Sequence, residues 1–152
     1  TARIGMRRLK IAAGHWLVGL WLVATGSGAA LADDGPKRLT CALTDGTISS
    51  YEKGRFALSK AEMLAFDLID IDLEGQTANL IASAGAAPGA VRIVRAINAN
   101  HFIEVANEGF LNLTTVYDQD PATGSHPVVH SRHFGLLGQP IYAQYTGHCK
   151  AR

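Results

Sequence analysis

GFLNLTTVYD (109–118), PVVHSRHFG (127–135) and IYAQYTGHC (141–149) are three β-like runs in succession, separated by the turn-rich breaks QDPATGSH (119–126) and LLGQP (136–140). The third run ends on Cys149, whose only partner in the sequence is Cys41. Cys149 shares a strand face with Ile141, Ala143 and Tyr145, and Cys41 shares one with Leu39 and Leu43, so both thiols point toward apolar surroundings. A bridge between them would bring the first and last strands of a meander together, which closes a barrel or a flattened barrel. It would also close most of the chain into one loop, worth about 4–5 kcal/mol of unfolded-state entropy.

The segments upstream follow the same pattern. Arg38–Thr44 alternates as a first strand, Asp45-Gly46 marks a turn, and Thr47–Tyr51 returns as a second short strand. Ser59-Lys60-Ala61-Glu62 has the spacing of a capping box, which predicts one short helical turn near 60–65. FDLIDIDLEG (66–75) places Ile69, Ile71 and Leu73 on one face and Asp70, Asp72 and Glu74 on the other. Thr77–Ala84, Val91–Asn98 and His101–Ala106 are further short strands, and Asn107-Glu108-Gly109 turns into the 109–118 run. Nearly every segment is short and followed by a turn residue, with no helix-length stretch between strands. The expected fold is therefore all-β, an antiparallel meander of about eight strands closing into a small barrel or sandwich.

The N-terminus reads as a secretory signal peptide. Met6–Lys10 is a basic opening, Ile11–Val23 is mostly apolar, and Ala30-Leu31-Ala32 is a small-x-small exit, which gives a leader over 1–32 and one domain over 33–152. Residues 1–5 precede a plausible start at Met6. An uncleaved anchor over Ile11–Ala32 is the alternative, opposed by His15, the glycines and the cleavage signature. The leader would remove Arg3, Arg7, Arg8 and Lys10 and no acidic residue, leaving ten basic against thirteen acidic side chains, a net charge of −3. That balance carries no field for nucleic acid or an anionic membrane surface. Export in turn favours a structural disulfide over a reactive thiol.

Candidate chemistry concentrates at His130-Ser131-Arg132-His133. Written as a hairpin with the preceding run, Val116 sits opposite Val128, Thr114 opposite His130 and Asn112 opposite Arg132, with Phe110 and Phe134 closing the far end. One face then carries Asn112, Thr114, His130 and Arg132. It is either a patch for a small anion or partner loop, with Arg132 as the forked donor, or a solvated sheet face with ordinary cross-strand pairs. Sequence fixes register weakly and favours the second. The opposite face (Leu111, Leu113, Thr115, Tyr117, Val129, Ser131) reads as core.

Arg95 lies in line with Val91, Ile93 and Ile97, and across the hairpin with Ile103. On an inward face it would meet an anionic ligand or a buried carboxylate; if Val94, Ala96 and Phe102 face inward it is simply exposed. His126, His130 and His133 would share one side of a helix, but in a strand His130 and His133 point apart, and no HExxH or clustered-cysteine pattern calls for a metal. Ser131 cannot use its neighbour as a base, and no G-x-S-x-G elbow is present. Asp70, Asp72 and Glu74 read as a solvated acidic face.

VRIVRAINANHFIEV, GFLNLTTVYD, VVHSRHFGLLGQP and QYTGHC together resemble small exported proteobacterial β-domain proteins of uncharacterised function, over most of the chain after the leader. The resemblance implies export and a β fold, and no activity, cofactor or site residue. The functional expectation is an exported, periplasmic, non-catalytic β domain that binds a small ligand or a protein partner, with no cofactor. The alternatives are a small hydrolase or metal-dependent enzyme using His101, His130, His133 or His148, and a structural envelope protein.

Overall fold

The computed structural model describes residues 35–105, 110–134 and 139–152; the expected leader over 1–32 and the turn at Asn107–Gly109 lie outside them. The described residues form nine antiparallel strands and no helix: β1 (Leu39–Glu52), β2 (Arg55–Lys60), β3 (Leu64–Asp72), β4 (Thr77–Ile81), β5 (Gly89–Arg95), β6 (Ala99–Val105), β7 (Phe110–Tyr117), β8 (His126–Phe134) and β9 (Ile141–Ala151). Each strand from β3 to β9 pairs with its sequence neighbour, and β1 pairs with both β3 and β9. Eight strands thereby close into a barrel, and β2 remains outside the ring, bonded to β1 alone. Closure removes the unpaired edges that an open sheet of these strands would expose.

The seam is stapled. Cys41 and Cys149 stand directly opposite in the β1–β9 ladder, bridged with their Cα atoms 4.0 Å apart and both side chains buried. Around the bridge, Leu39, Leu43, Phe66, Leu68, Val91, Ile93, Phe102, Val116, Val128, Ala143 and Tyr145 fill the interior. Each large apolar side chain withdrawn from water contributes about 1.5–3 kcal/mol.

Three sequence expectations are corrected. First, Asp45-Gly46 is not a turn: β1 runs straight through it, and a register shift between Ala42 and Asp45 absorbs the extra residues as a bulge. Gly147 on β9 permits this, since a Cβ there would lie 2.2 Å from the Ala42 carbonyl oxygen. Second, no helical turn forms near 60–65. The Ala61 N–H, which a capped helix would leave to the Ser59 side chain, donates instead to the Gly46 carbonyl at 2.9 Å, so the segment continues the strand pairing of β2. Third, the alternation proposed for 66–75 breaks at Asp70, which adopts φ 52°. Phe66 and Leu68 face inward before it and Ile71 after it, while Ile69 falls on the other side.

Candidate functional site

The β7–β8 register matches the sequence reading pair for pair: Val116 opposite Val128, Thr114 opposite His130, Asn112 opposite Arg132, Phe110 opposite Phe134. The Phe110 and Phe134 rings meet edge to face at 5.0 Å. The faces, however, are reversed. Asn112, Thr114, His130 and Arg132 point into the barrel, and Leu111, Leu113 and Tyr117, read as core, are exposed. β9 explains why. Its inward residues Cys149, Tyr145 and Ala143 stand opposite His126, His130 and Arg132, so the disulfide seam fixes the parity of β8 and then of β7. The solvated-face reading is thereby overturned.

Inside, these polar groups bond to one another, with the Asn112 Oδ1 left without a partner among the described residues. The Arg132 Nε–H donates to His130 Nε2 at 3.2 Å, which makes that nitrogen an acceptor and puts the imidazole proton on Nδ1. Nδ1–H then donates to the Thr114 hydroxyl at 2.7 Å, and both residues are 1% exposed. Burial, with the Arg132 charge beside it, pushes the His130 pKa down to about 4. His130 is therefore neutral near pH 7, packed between Phe66 and Tyr145, and the Arg132 guanidinium lies 5.8 Å from the Tyr145 ring centre. Further along, Asn112 Nδ2–H donates to Glu104 Oε2 at 2.8 Å. Thr114 and His130 are thus a buried internal pair, bonded to each other.

Arg95 belongs elsewhere. Its strand face, with Val91 and Ile93, is the inner one, but Phe102 and not Ile103 shares it, because the hairpin turns over Ala96–Ala99. The Ala96 N–H donates to the Ala99 carbonyl at 2.9 Å, which sets Arg95 opposite Asn100 and Ile93 opposite Phe102. β5 ends there, so Arg95 emerges at the rim of the barrel. It lines a cavity of about 540 Å³, the size of a small-molecule site. Leu39, Ile71, Phe102 and Val116, all buried, form the apolar floor.

Asn100, Asp118 and His126 share the rim with Arg95, and Gly35 and Pro36 complete a wall. The His126 Nδ1–H donates to the Tyr117 carbonyl at 2.9 Å, leaving Nε2 as an acceptor on the neutral ring. Arg95 makes no ion pair or hydrogen bond among the described residues. Val116 and Val128 occupy the layer between this cavity and the His130 pair, and Phe102 stands directly opposite Thr114 in the β6–β7–β8 register. The five sequence candidates are therefore divided: Arg95 at one mouth, Thr114 and His130 sealed in the middle, and Asn112 and Arg132 toward the other end.

Sequence reasoning missed Phe102, Val116, Asn100, Asp118 and His126 as one surface. Its only signal was the inward column ending in Arg95, and the four-residue turn that decides the β5–β6 register is not marked by a diagnostic dipeptide. Among the described residues, the remaining histidines do not gather. His133 and His148 lie on the exposed surface and His101 pairs with Thr115 across the outer face at 2.9 Å. Among the described residues, no three His, Cys, Asp or Glu side chains come close enough to hold a metal ion. No protein-family model, curated protein sequence or solved structure matches the chain.

Proposed function

We propose that the chain is an exported, non-catalytic β-barrel domain that holds a small ligand in the mouth lined by Arg95. One observation carries the reading: a cavity of about 540 Å³ with an apolar floor opens beneath a guanidinium that has no partner among the described residues. A ligand with an apolar body and an anionic group fits it, with the body on Phe102, Val116 and Ile71 and the anion on the forked donor of Arg95. Asn100 and His126 offer further polar contacts, and Asp118 on the same rim disfavours a ligand with a second anionic group. Export to an oxidising compartment such as the periplasm is supported by the buried Cys41–Cys149 bridge at the barrel seam.

The test uses 1-anilinonaphthalene-8-sulfonate, an apolar anion whose fluorescence rises on leaving water. Saturable binding to the native protein is expected, weakened at least tenfold by Arg95→Ala, with near-UV dichroism unchanged. Equal binding by wild type and Arg95→Ala would remove Arg95 from the site, and no saturable binding would remove the mouth.

A further inference from the structure

One strand is left with an open edge. Among the described residues, β2 bonds only β1, and all six of its residues are exposed. The pairing is Glu52 opposite Arg55 through Ser50 opposite Ala57 to Ile48 opposite Ser59, and the Ala61 N–H continues it by donating to the Gly46 carbonyl. In an antiparallel ladder the residues that exchange hydrogen bonds alternate. Arg55, Ala57, Ser59 and Ala61 therefore bond β1, whereas Phe56, Leu58 and Lys60 turn their N–H and C=O groups toward the open side. Phe56 and Leu58 are also 52% and 67% exposed, on the face where Phe56 meets Tyr51 and Tyr142 edge to face at 5.0 and 5.8 Å. No bulge or proline interrupts this edge, although such devices commonly prevent strand addition.

We infer that β2 is an interface for a second copy of this chain, joined edge to edge about a two-fold axis at Leu58. The sequence of the strand complements itself in that register. Only residues with outward backbone groups can exchange hydrogen bonds across the axis, which restricts the bonded pairs to Phe56, Leu58 and Lys60. Centring it on Leu58 sets Leu58 against Leu58 and Phe56 against Lys60 on both sides, so all three outward residues of each strand are bonded. The Lys60 stem lies along the Phe56 ring of the other copy with its ammonium over the π face. Ala57 stands opposite Ser59, and Arg55 opposite Ala61, so no two like charges face one another. This is an isologous contact, closed at two subunits. It lies on the outside of the ring and is independent of the mouth that holds Arg95.

Sedimentation equilibrium of the purified protein tests it, combined with cysteine crosslinking. Ala57 and Ser59 form a non-hydrogen-bonded pair across the axis, with Cα atoms about 4.5 Å apart, within reach of a disulfide. Mixing Ala57→Cys protein with Ser59→Cys protein should give a covalent heterodimer under mild oxidation, and neither variant alone should crosslink. The native bridge does not compete, because Cys41 and Cys149 are buried.

Leu58→Pro removes an N–H that β1 does not use and should convert the dimer to monomer. Leu58→Lys, which sets like charges on the axis without constraining the backbone, should do the same if the proline variant fails to fold. A wild-type monomer at every soluble concentration would overturn the inference, as would a dimer that survives Leu58→Lys. Crosslinking of Ala57→Cys alone would overturn the Leu58-centred register.

Discussion

Acidification to about pH 4.5 should cost the fold about 2–3 kcal/mol through His130 alone. The folded pKa is about 4 against an ordinary value of 6.5, so the unfolded chain takes up the proton first. The contribution is complete above 6.5, declines as pH falls toward 4 and changes no further below it. Linkage over that window, from about pH 7.5 to 4.5, gives the stated loss of about 2–3 kcal/mol. With a urea dependence of about 1–3 kcal/mol per molar, the wild-type unfolding midpoint should drop by about 1–3 M.

Carboxylates titrate over part of the same range, so the informative quantity is the difference between wild type and His130→Gln, which keeps them all and lacks the imidazole. The pH dependence of the two proteins should differ by the His130 contribution. A direct readout needs no variant: the His130 ring proton resonance should stay at its neutral position until the pH approaches 4. Parallel pH profiles for the two proteins, or a resonance that titrates near 6.5, would refute the sealed Arg132–His130–Thr114 chain from which the magnitude was worked.

Two further outcomes follow from the seam. The Cys41→Ser, Cys149→Ser double variant should lose about 4–5 kcal/mol in equilibrium unfolding, because the bridge spans a sequence separation of 108 and sits between the first and last barrel strands; a loss below about 1 kcal/mol would show that the β1–β9 ladder closes without it. Gly147→Ala should cost at least about 2 kcal/mol, since its Cβ would meet backbone atoms of Ala42 and Leu43 at 2.2 and 2.5 Å. An alanine variant as stable as wild type in a thermal melt would show that the bulge between Ala42 and Asp45 relaxes freely.

The hairpin of β7 and β8 shows how far reading the sequence reaches. Matching Val116 to Val128 and Phe110 to Phe134 located every pair correctly, because cross-strand partners in a short hairpin are set by local turn length and side-chain complementarity. The same hairpin carries apolar residues on both faces, so amphipathy alone does not say which face is inside. A histidine and an arginine on one face look like a wet surface until another strand supplies the reason to bury them. That strand is β9, held by Cys149. The mouth was legible only as the inward column Val91, Ile93, Arg95. Its other members come from β1, β3, β6, β7, β8 and β9, elements separated in the sequence and brought together by closure.

The class of the fold, the pairing of Cys41 with Cys149, and most strands are legible in the amino-acid sequence alone. These depend on period-two patterning, turn chemistry and the count of thiols, all of which act over a few residues or admit one solution. Long-range pairing is what runs β1 through Asp45-Gly46 past a bulge, leaves β2 outside the ring with an open edge, and buries Thr114 and His130 while Arg95 stands at an open mouth. Each depends on which residue of a distant strand lies opposite, and a shift of one residue exchanges inside for outside. In this barrel that choice is made at the seam, where the first and last strands meet.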